Sequence, residues 1–147
     1  MKLLLATTNP GKLTEFKKGL HPLIKFGYEL VTLDELGIEE DVEETGKTFK
    51  ENAIIKAEFF AQKSGLATIA DDGGFVIKAL NGEPGVKSRR WLGYRGTDKE
   101  LIDYTLVRIR NIPDNELQAH LELCLCFFNP KTNLHYYENE KIKGNIV

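Results

Sequence analysis

The amino-terminal segment constrains the fold most, because an apolar run leads directly into the start of a helix. Leu3 to Thr7 predicts a short, fully buried strand. Asn9 is favoured at a helix N-cap and Pro10 at the first helical position, which predicts a helix that runs to about Leu20. A buried strand that is followed at once by a helix is typical of α/β proteins.

Later patterns continue this alternation and then change to a hairpin. The apolar stretch Ala67–Ala70 predicts a strand that ends at Asp71–Gly74, which has the composition of a turn. The other predicted elements are strand Tyr28–Leu33, helix Thr48–Ser64, a compatible further strand Phe75–Leu80, helix Asp98–Asn111, and the alternating strands on either side of the loop Asn129–Asn133. This order predicts one α/β domain over residues 1–147, built on a mixed sheet.

Charge and cysteine usage exclude several classes of protein. The formal net charge is -2, from 20 basic and 22 acidic residues, which disfavours binding to duplex nucleic acid but permits small anionic ligands. Cys124 and Cys126 match no zinc or redox spacing and are predicted to be buried apolar residues of a reducing compartment. The apolar stretch Met1–Ala6 is too short for a signal peptide, and no run is long enough to span a membrane, so we expect a cytoplasmic protein.

The turn between the first strand and the first helix carries donors that suit an anion. Backbone N–H groups at a helix start and the helix dipole attract negative charge, and Gly11 lets a ligand approach the backbone. Thr7 and Asn9 add side-chain donors, and Lys12 adds a positive charge. The alternative is that Asn9 only caps the helix while Lys12 is solvated, and this motif alone does not decide between the two.

Lys56 lies on or beside the apolar face of the second predicted helix, where a charge is unusual because its desolvation is costly. The pattern alone favours a side chain that extends along the surface to solvent. The alternative is that the ammonium group reaches a phosphate, with Asn52 one turn earlier on the same side of the helix.

Carboxylates at two places are candidate metal ligands. Asp71 and Asp72 follow a buried strand, the position where α/β folds place ligands, and Mg²⁺ commonly takes one or two carboxylates plus substrate phosphates. Glu44 is the best placed member of an acidic stretch that otherwise reads as a solvated face. The alternative for the aspartates is an ordinary turn, and the two interpretations stay open at this point.

Four segments in this order resemble the inosine-triphosphate pyrophosphatase family, also called XTP/dITP diphosphatases: ATTNPGK, EETGKTFKENAIIKA, IADDGG and GEPGVKSRR. The resemblance covers nearly the whole chain. It implies a Maf/ITPase-like α/β fold with a mixed sheet, flanking helices and two lobes around a cleft, and it implies a homodimer. It also implies Mg²⁺-dependent hydrolysis of ITP, dITP and XTP to the monophosphate and pyrophosphate, which removes deaminated purines from the nucleotide pool.

Carried over position by position, the resemblance assigns roles to these residues. The implied phosphate-binding residues are Thr7, Asn9, Lys12, Lys56 and Gly73. The implied metal ligands are Glu44, Asp71 and Asp72, and Asp72 is also the implied general base. Attack at phosphorus needs charge neutralisation and a positioned water more than covalent chemistry, and lysines, Mg²⁺ and a carboxylate meet those needs.

Two departures from the family pattern bear on this prediction. The family usually has serine at the position of Gly73, so a hydroxyl that would assist phosphate or metal binding is absent. The family also continues with a GFGYDP-like segment and a Ser-His-Arg motif that together recognise the purine, and neither occurs in this sequence. We therefore expect a chain that is partial at its carboxyl end. The alternative functions are a non-catalytic triphosphate- or partner-binding remnant and a Maf-type nucleotide pyrophosphatase.

Overall fold

The computed structural model describes all 147 residues, and its regular elements are one five-stranded sheet with flanking helices. The strands are β1 (Lys2–Leu5), β2 (Glu29–Thr32), β3 (Ala67–Ile77), β4 (Gln118–Asn129) and β5 (Leu134–Asn145). The helices are α1 (Pro10–Gly19), α2 (His21–Ile24), α3 (Phe49–Ser64) and α4 (Asp98–Ile109). Short 3-10 helices lie at Lys78–Leu80, Gly85–Arg90 and Asp114–Glu116.

The sheet is mixed, as the sequence predicted. Its strand order is β2-β1-β3-β4-β5. The first strand pairs in parallel with both neighbours, so that Leu3 lies opposite Leu30 of β2 and opposite Ala67 of β3. Strands β4 and β5 are neighbours joined by residues 130–133, and so short a connection permits only antiparallel pairing.

Helix ends fall where the capping residues predicted them. Asn9 caps α1, Thr48 caps α3, and Gly65 ends α3 in the left-handed conformation with φ of 71°. Thr97 caps α4 in a complete capping box with Glu100. Each side-chain cap satisfies an otherwise orphaned backbone N–H and contributes about 1 kcal/mol, which is why such local signals locate helix starts reliably.

The predicted turn at Asp71–Gly74 is wrong, because β3 continues through these residues to Ile77. Both glycines lie against neighbouring chain rather than at a reversal. A Cβ on Gly73 would be 2.6 Å from the carbonyl oxygen of Glu122 in β4, and a Cβ on Gly74 would be 2.7 Å from the carbonyl oxygen of Gly85. Glycine at these positions therefore permits a close backbone approach within an extended strand.

The aspartates nevertheless lie where the parallel part of the sheet ends. Strand β1 pairs with β3 only as far as Leu5 opposite Ile69, and the last contact is the amide of Ala6 with the carbonyl of Ile69 at 2.8 Å. Asp71 and Asp72 follow immediately, just past the carboxyl end of β1, which is the edge where parallel strands present ligand-binding residues.

The chain folds into two compact units, and each unit has buried apolar residues of its own. Residues Met1–Asp72 and Cys124–Glu138 make up the first unit. In this unit α3 buries one face that includes Ala53, Ala57 and Phe60, and β1 buries three leucines of at most 1% exposure. Fully burying one leucine stabilises a fold by about 1.5–3 kcal/mol, so β1 alone anchors this unit strongly.

The second unit comprises Gly73–Leu123 and Asn139–Val147. Its core is a cluster of Ile77, Ile109 and Leu117 with Ala119, against which partly buried apolar side chains such as Trp91 pack.

In the first unit, the two cysteines of β4 are buried, as predicted, and burial raises the pKa of the Cys126 thiol to about 12. No helix of the structure combines the length and apolarity needed to cross a membrane.

We expect Gly74→Ala to destabilise the fold, because the added Cβ would overlap the Ser88 hydroxyl, which itself accepts a hydrogen bond from the Phe75 amide. The predicted loss is about 1–3 kcal/mol of unfolding free energy, measured by urea denaturation. Gly144→Ala in β5 is the matched control, since nothing lies within 4 Å of its added Cβ. Equal stability of the two variants would contradict the close approach at Gly74.

Candidate active site

The turn between β1 and α1 is organised by its own side chains. Asn9 Oδ1 accepts hydrogen bonds from the amides of Gly11 at 2.9 Å and Lys12 at 3.3 Å. The amide of Asn9 in turn donates to the hydroxyl of buried Thr7 at 3.2 Å. The capping interpretation of Asn9 thus holds in this structure, and an anion at this helix start has to replace the Asn9 carboxamide oxygen.

Lys12 extends from the first turn of α1 to the strand β3. Its Nζ lies 2.5 Å from Oδ2 of Asp71, and its side chain is about one-third exposed whereas that of Asp71 is 1% exposed. The solvated alternative for Lys12 is therefore wrong. The contact is an ion pair without hydrogen-bond geometry, and neither carboxylate oxygen of Asp71 accepts a hydrogen bond from the protein. The ion pair with Lys12 is thus the contact that offsets the desolvation of this buried carboxylate, without a hydrogen bond to add to it.

Lys56 does not extend to solvent, so the interpretation that its helical position favoured is wrong. Its Nζ donates to the backbone carbonyl of Asp71 at 2.8 Å and lies 3.3 Å from Oε1 of Glu44. The side chain is only 15% exposed. Two acceptors at the end of the side chain compensate its charge, which explains why it stays inside rather than reaching the surface.

Asn52 links Asp72 to the loop that carries Glu44, a role that the sequence analysis did not assign. Its Nδ2 donates to Oδ2 of Asp72 at 3.0 Å, and its Oδ1 accepts from the amide of Gly46 at 2.7 Å. Asn52 is 1% exposed and Asp72 is 8% exposed. The available sequence signal was a polar residue one helical turn before Lys56 on a face that is otherwise buried.

These contacts bring most of the predicted site residues together in the first unit. Lys12 contacts the carboxylate of Asp71, and Lys56 contacts its backbone carbonyl and Glu44. Asn52 joins Asp72 to Gly46, two residues beyond Glu44. Thr7 and Asn9 shape the adjacent turn between β1 and α1. Gly73 lies against the backbone of β4 instead, where a side chain would collide with Glu122.

The charge balance of this cluster suits a divalent cation. Lys12 is paired with Asp71 and Lys56 with Glu44, while Asp72 is held by the uncharged Asn52. The five ionisable groups therefore include one more acid than base, which disfavours a triphosphate without a cation. The two oxygens of Asp71 accept no hydrogen bond, and carboxylate oxygens are the hard donors that Mg²⁺ prefers. No three His, Cys, Asp or Glu side chains form a complete metal site, but Mg²⁺ commonly completes its shell with waters and substrate phosphates.

Comparison with known proteins finds one matching family model and several similar sequences. The sequence model of the Ham1 family matches residues 3–147. A dITP/XTP pyrophosphatase of Thermus thermophilus is 44% identical over all of this chain and 68% of its own length. A dITP/XTP pyrophosphatase of Yersinia pestis is also 44% identical, over 86% of this chain and 62% of its own length. The chain thus spans about two thirds of these relatives.

Solved structures agree with the sequence comparison. A Ham1 protein from Coxiella burnetii has a TM-score of 0.88 and 33% identity, covering 99% of this chain and 73% of that one. A nucleoside-triphosphatase, or dITP/XTP pyrophosphatase, from Mycobacterium abscessus has a TM-score of 0.84 and 37% identity, covering 99% and 74%. The predicted ITPase-like mixed sheet with flanking helices is therefore confirmed.

We predict that Asp71→Asn changes the response to Mg²⁺ more than it changes stability. Without metal, the variant should unfold within about 1 kcal/mol of the parent, because a poorly compensated buried charge adds little stability. With Mg²⁺, the parent should gain thermal stability, as any ligand of the folded state provides, and the variant should lose that gain.

Asp103→Asn is the matched control for this experiment. It also removes a carboxylate from a lysine, but the Lys99–Asp103 pair is exposed on α4. The control should keep the Mg²⁺-dependent rise in melting temperature. A rise of the same size in Asp71→Asn would show that Asp71 is not a metal ligand.

Proposed function

The chain belongs to the Ham1 family, and from this premise we propose that the protein hydrolyses the deaminated purine nucleotides ITP, dITP and XTP. The products are the nucleoside monophosphate and pyrophosphate. The observation that carries the proposal is the buried pair Asp71 and Asp72, contacted by Lys12, Lys56 and Asn52 at the carboxyl end of β1. The names of the relatives, dITP/XTP pyrophosphatase, support the choice of substrate.

The two lysines bind the triphosphate in this proposal. Lys12 and Lys56 now contact Asp71 and Glu44, so each ammonium group is already directed into the cluster rather than into solvent. Phosphate oxygens replace part of these contacts, because a more highly charged anion competes well for an ammonium group. At the start of α1, a phosphate oxygen replaces Asn9 Oδ1 as the acceptor for the amides of Gly11 and Lys12. The hydroxyl of Thr7 keeps the turn in place by accepting from the amide of Asn9.

Glu44, Asp71 and Asp72 are the carboxylates that would supply one or two oxygen ligands to Mg²⁺ in this proposal, and waters and substrate phosphates would supply the rest. When bound, the metal neutralises charge on the phosphates and on the pyrophosphate that leaves. Asp71 would exchange an imperfect contact with Lys12 for a cation, which releases that lysine toward the substrate. Gly73 keeps the strand close to β4 at this point, so its contribution to phosphate binding would be through its backbone.

Asp72 orients the attacking water and accepts its proton. Its orientation is set by Asn52, whose Nδ2 donates to Oδ2 of Asp72 at 3.0 Å. A carboxylate that is held within hydrogen-bond reach of a water can take up its proton in the transition state. Water attack breaks the bond between the α- and β-phosphoryl groups, and pyrophosphate carries away the bonding electrons.

Three further features complete the proposal. We assign the protein to the cytoplasm, which agrees with two buried thiols and with the nucleotide pool as its substrate. We also propose a homodimer, on the strength of the family resemblance. Nucleic acid is not a proposed partner, because the net charge of -2 offers no broad basic surface.

Pyrophosphate release from ITP, dITP and XTP tests the proposal, with ATP and GTP as comparison substrates. We expect Mg²⁺-dependent turnover that chelation with EDTA abolishes. Asp72→Asn should lower kcat by about 10²–10⁴-fold, because it removes the base while keeping the size of the side chain. Asp103→Asn, on the exposed face of α4, should leave kcat unchanged.

Turnover no greater than that of Asp72→Asn would overturn the proposed activity. Calorimetry would then distinguish a binding remnant, which should bind these triphosphates with little preference among bases and no hydrolysis. Faster turnover of other modified nucleotides than of ITP, dITP and XTP would instead favour a Maf-type pyrophosphatase.

A further inference from the structure

Asn52 is a buried amide with both polar ends occupied. It lies on α3, one turn before Lys56, and is 1% exposed. Its Oδ1 accepts from the amide of Gly46 at 2.7 Å, and a backbone N–H can only donate. This contact fixes the orientation of the carboxamide, so the group that faces Oδ2 of Asp72 at 3.0 Å is the Nδ2 donor.

We propose that Asn52 is a positioning residue that sets the orientation of the Asp72 carboxylate and ties it to the loop carrying Glu44. The inference rests on the proposed function for its catalytic meaning. One amide connects the two acidic elements from opposite sides: its donor holds Asp72, and its acceptor holds Gly46, two residues beyond Glu44. Loss of the amide therefore disturbs both elements at once.

Packing around Gly46 shows that the loop is held closely against Asn52. A Cβ on Gly46 would lie 2.5 Å from Oδ1 of Asn52 and 2.7 Å from the Cβ of Glu51. The adjacent amide of Lys47 donates to Oε2 of Glu51 at 2.6 Å. The loop is thus attached to the first turn of α3 by two hydrogen bonds, and only the one from Asn52 continues to an active-site carboxylate.

Spacing on α3 explains why this arrangement is specific. Asn52 and Lys56 are four residues apart, so they project from the same face. The amide contacts the side chain of Asp72, whereas the ammonium group contacts the backbone carbonyl of Asp71 and the carboxylate of Glu44. Asn52 therefore orients the carboxylate of Asp72 through a hydrogen bond that adds no charge of its own.

Two substitutions of Asn52 separate positioning from simple loop support. Asn52→Leu is similar in size and loses both hydrogen bonds. Asn52→Asp keeps an acceptor for the Gly46 amide but loses the donor to Asp72. We expect both variants to lower kcat by about tenfold or more, with KM changed by less than about threefold, as is typical when a partner of a catalytic ligand is lost.

Thr48→Ala is the matched control, because it removes the cap of the same helix without touching Asp72. It should reduce stability while kcat and KM stay within about twofold of the parent. Circular dichroism confirms that each variant is folded at the assay temperature. A kcat for Asn52→Asp within twofold of the parent would overturn the positioning role.

Amide hydrogen exchange gives a second readout that requires neither metal nor nucleotide. Asn52→Leu should speed exchange of the Gly46 amide by about tenfold or more, whereas Asn52→Asp should keep it protected. Unchanged Gly46 exchange in Asn52→Leu would overturn the link to the loop. If the parent protein lacks turnover, the proposed function fails by itself, and the exchange measurement still decides whether Asn52 holds this loop.

Discussion

The buried carboxylate of Asp71 is the constraint on which the site depends. It is 1% exposed, lies 2.5 Å from the ammonium group of Lys12, and accepts no hydrogen bond. A protein that needed only stability would gain from replacing such a group, since burying an imperfectly paired charge costs several kcal/mol. Its presence beside a second aspartate is consistent with the proposed use of these carboxylates as oxygen ligands of a divalent cation.

The topology explains how distant parts of the sequence supply this site. Parallel pairing of β1 with β3 ends just before Asp71, and α1 begins just after β1, so Lys12 meets that aspartate directly. Helix α3 precedes β3 in the chain and contributes Asn52 and Lys56 from one face. The site side chains thus come from three regular elements, α1, α3 and β3, each of which is held by burial or by a helix cap.

Local signals carried most of what the sequence predicted. The caps at Asn9, Thr48 and Thr97 located the helices, because a capping side chain acts within its own turn. The continuation of β3 through Gly73 and Gly74 was missed, because glycine occurs both in turns and in strands that pack closely against other chain segments. The sequence alone does not distinguish these two uses of glycine.

In the site, likewise, residues could be named from sequence motifs, but contacts between residues far apart in the sequence could not be predicted. The candidate residues Lys12, Lys56, Glu44 and Asp71 were named from the family resemblance, and the structure shows Lys12 and Lys56 in contact with Asp71 and Lys56 in contact with Glu44. The inward position of Lys56 could not be predicted, because its acceptors are the carboxylate of Glu44 and the backbone carbonyl of Asp71, which lie outside its own helix. The link from Asn52 to Asp72 was missed for the same reason: 20 residues of sequence separate the two.

The most direct measurement of the central claim is an anomalous-scattering experiment on crystals grown with Mn²⁺ and a non-hydrolysable dITP analogue. The account predicts a manganese peak within coordination distance, about 2.0–2.6 Å, of a carboxylate oxygen of Asp71 or Asp72 and of a phosphate oxygen. It also predicts that Lys12 moves from Asp71 to the triphosphate. A peak at another surface, with Lys12 still paired to Asp71, would contradict the account.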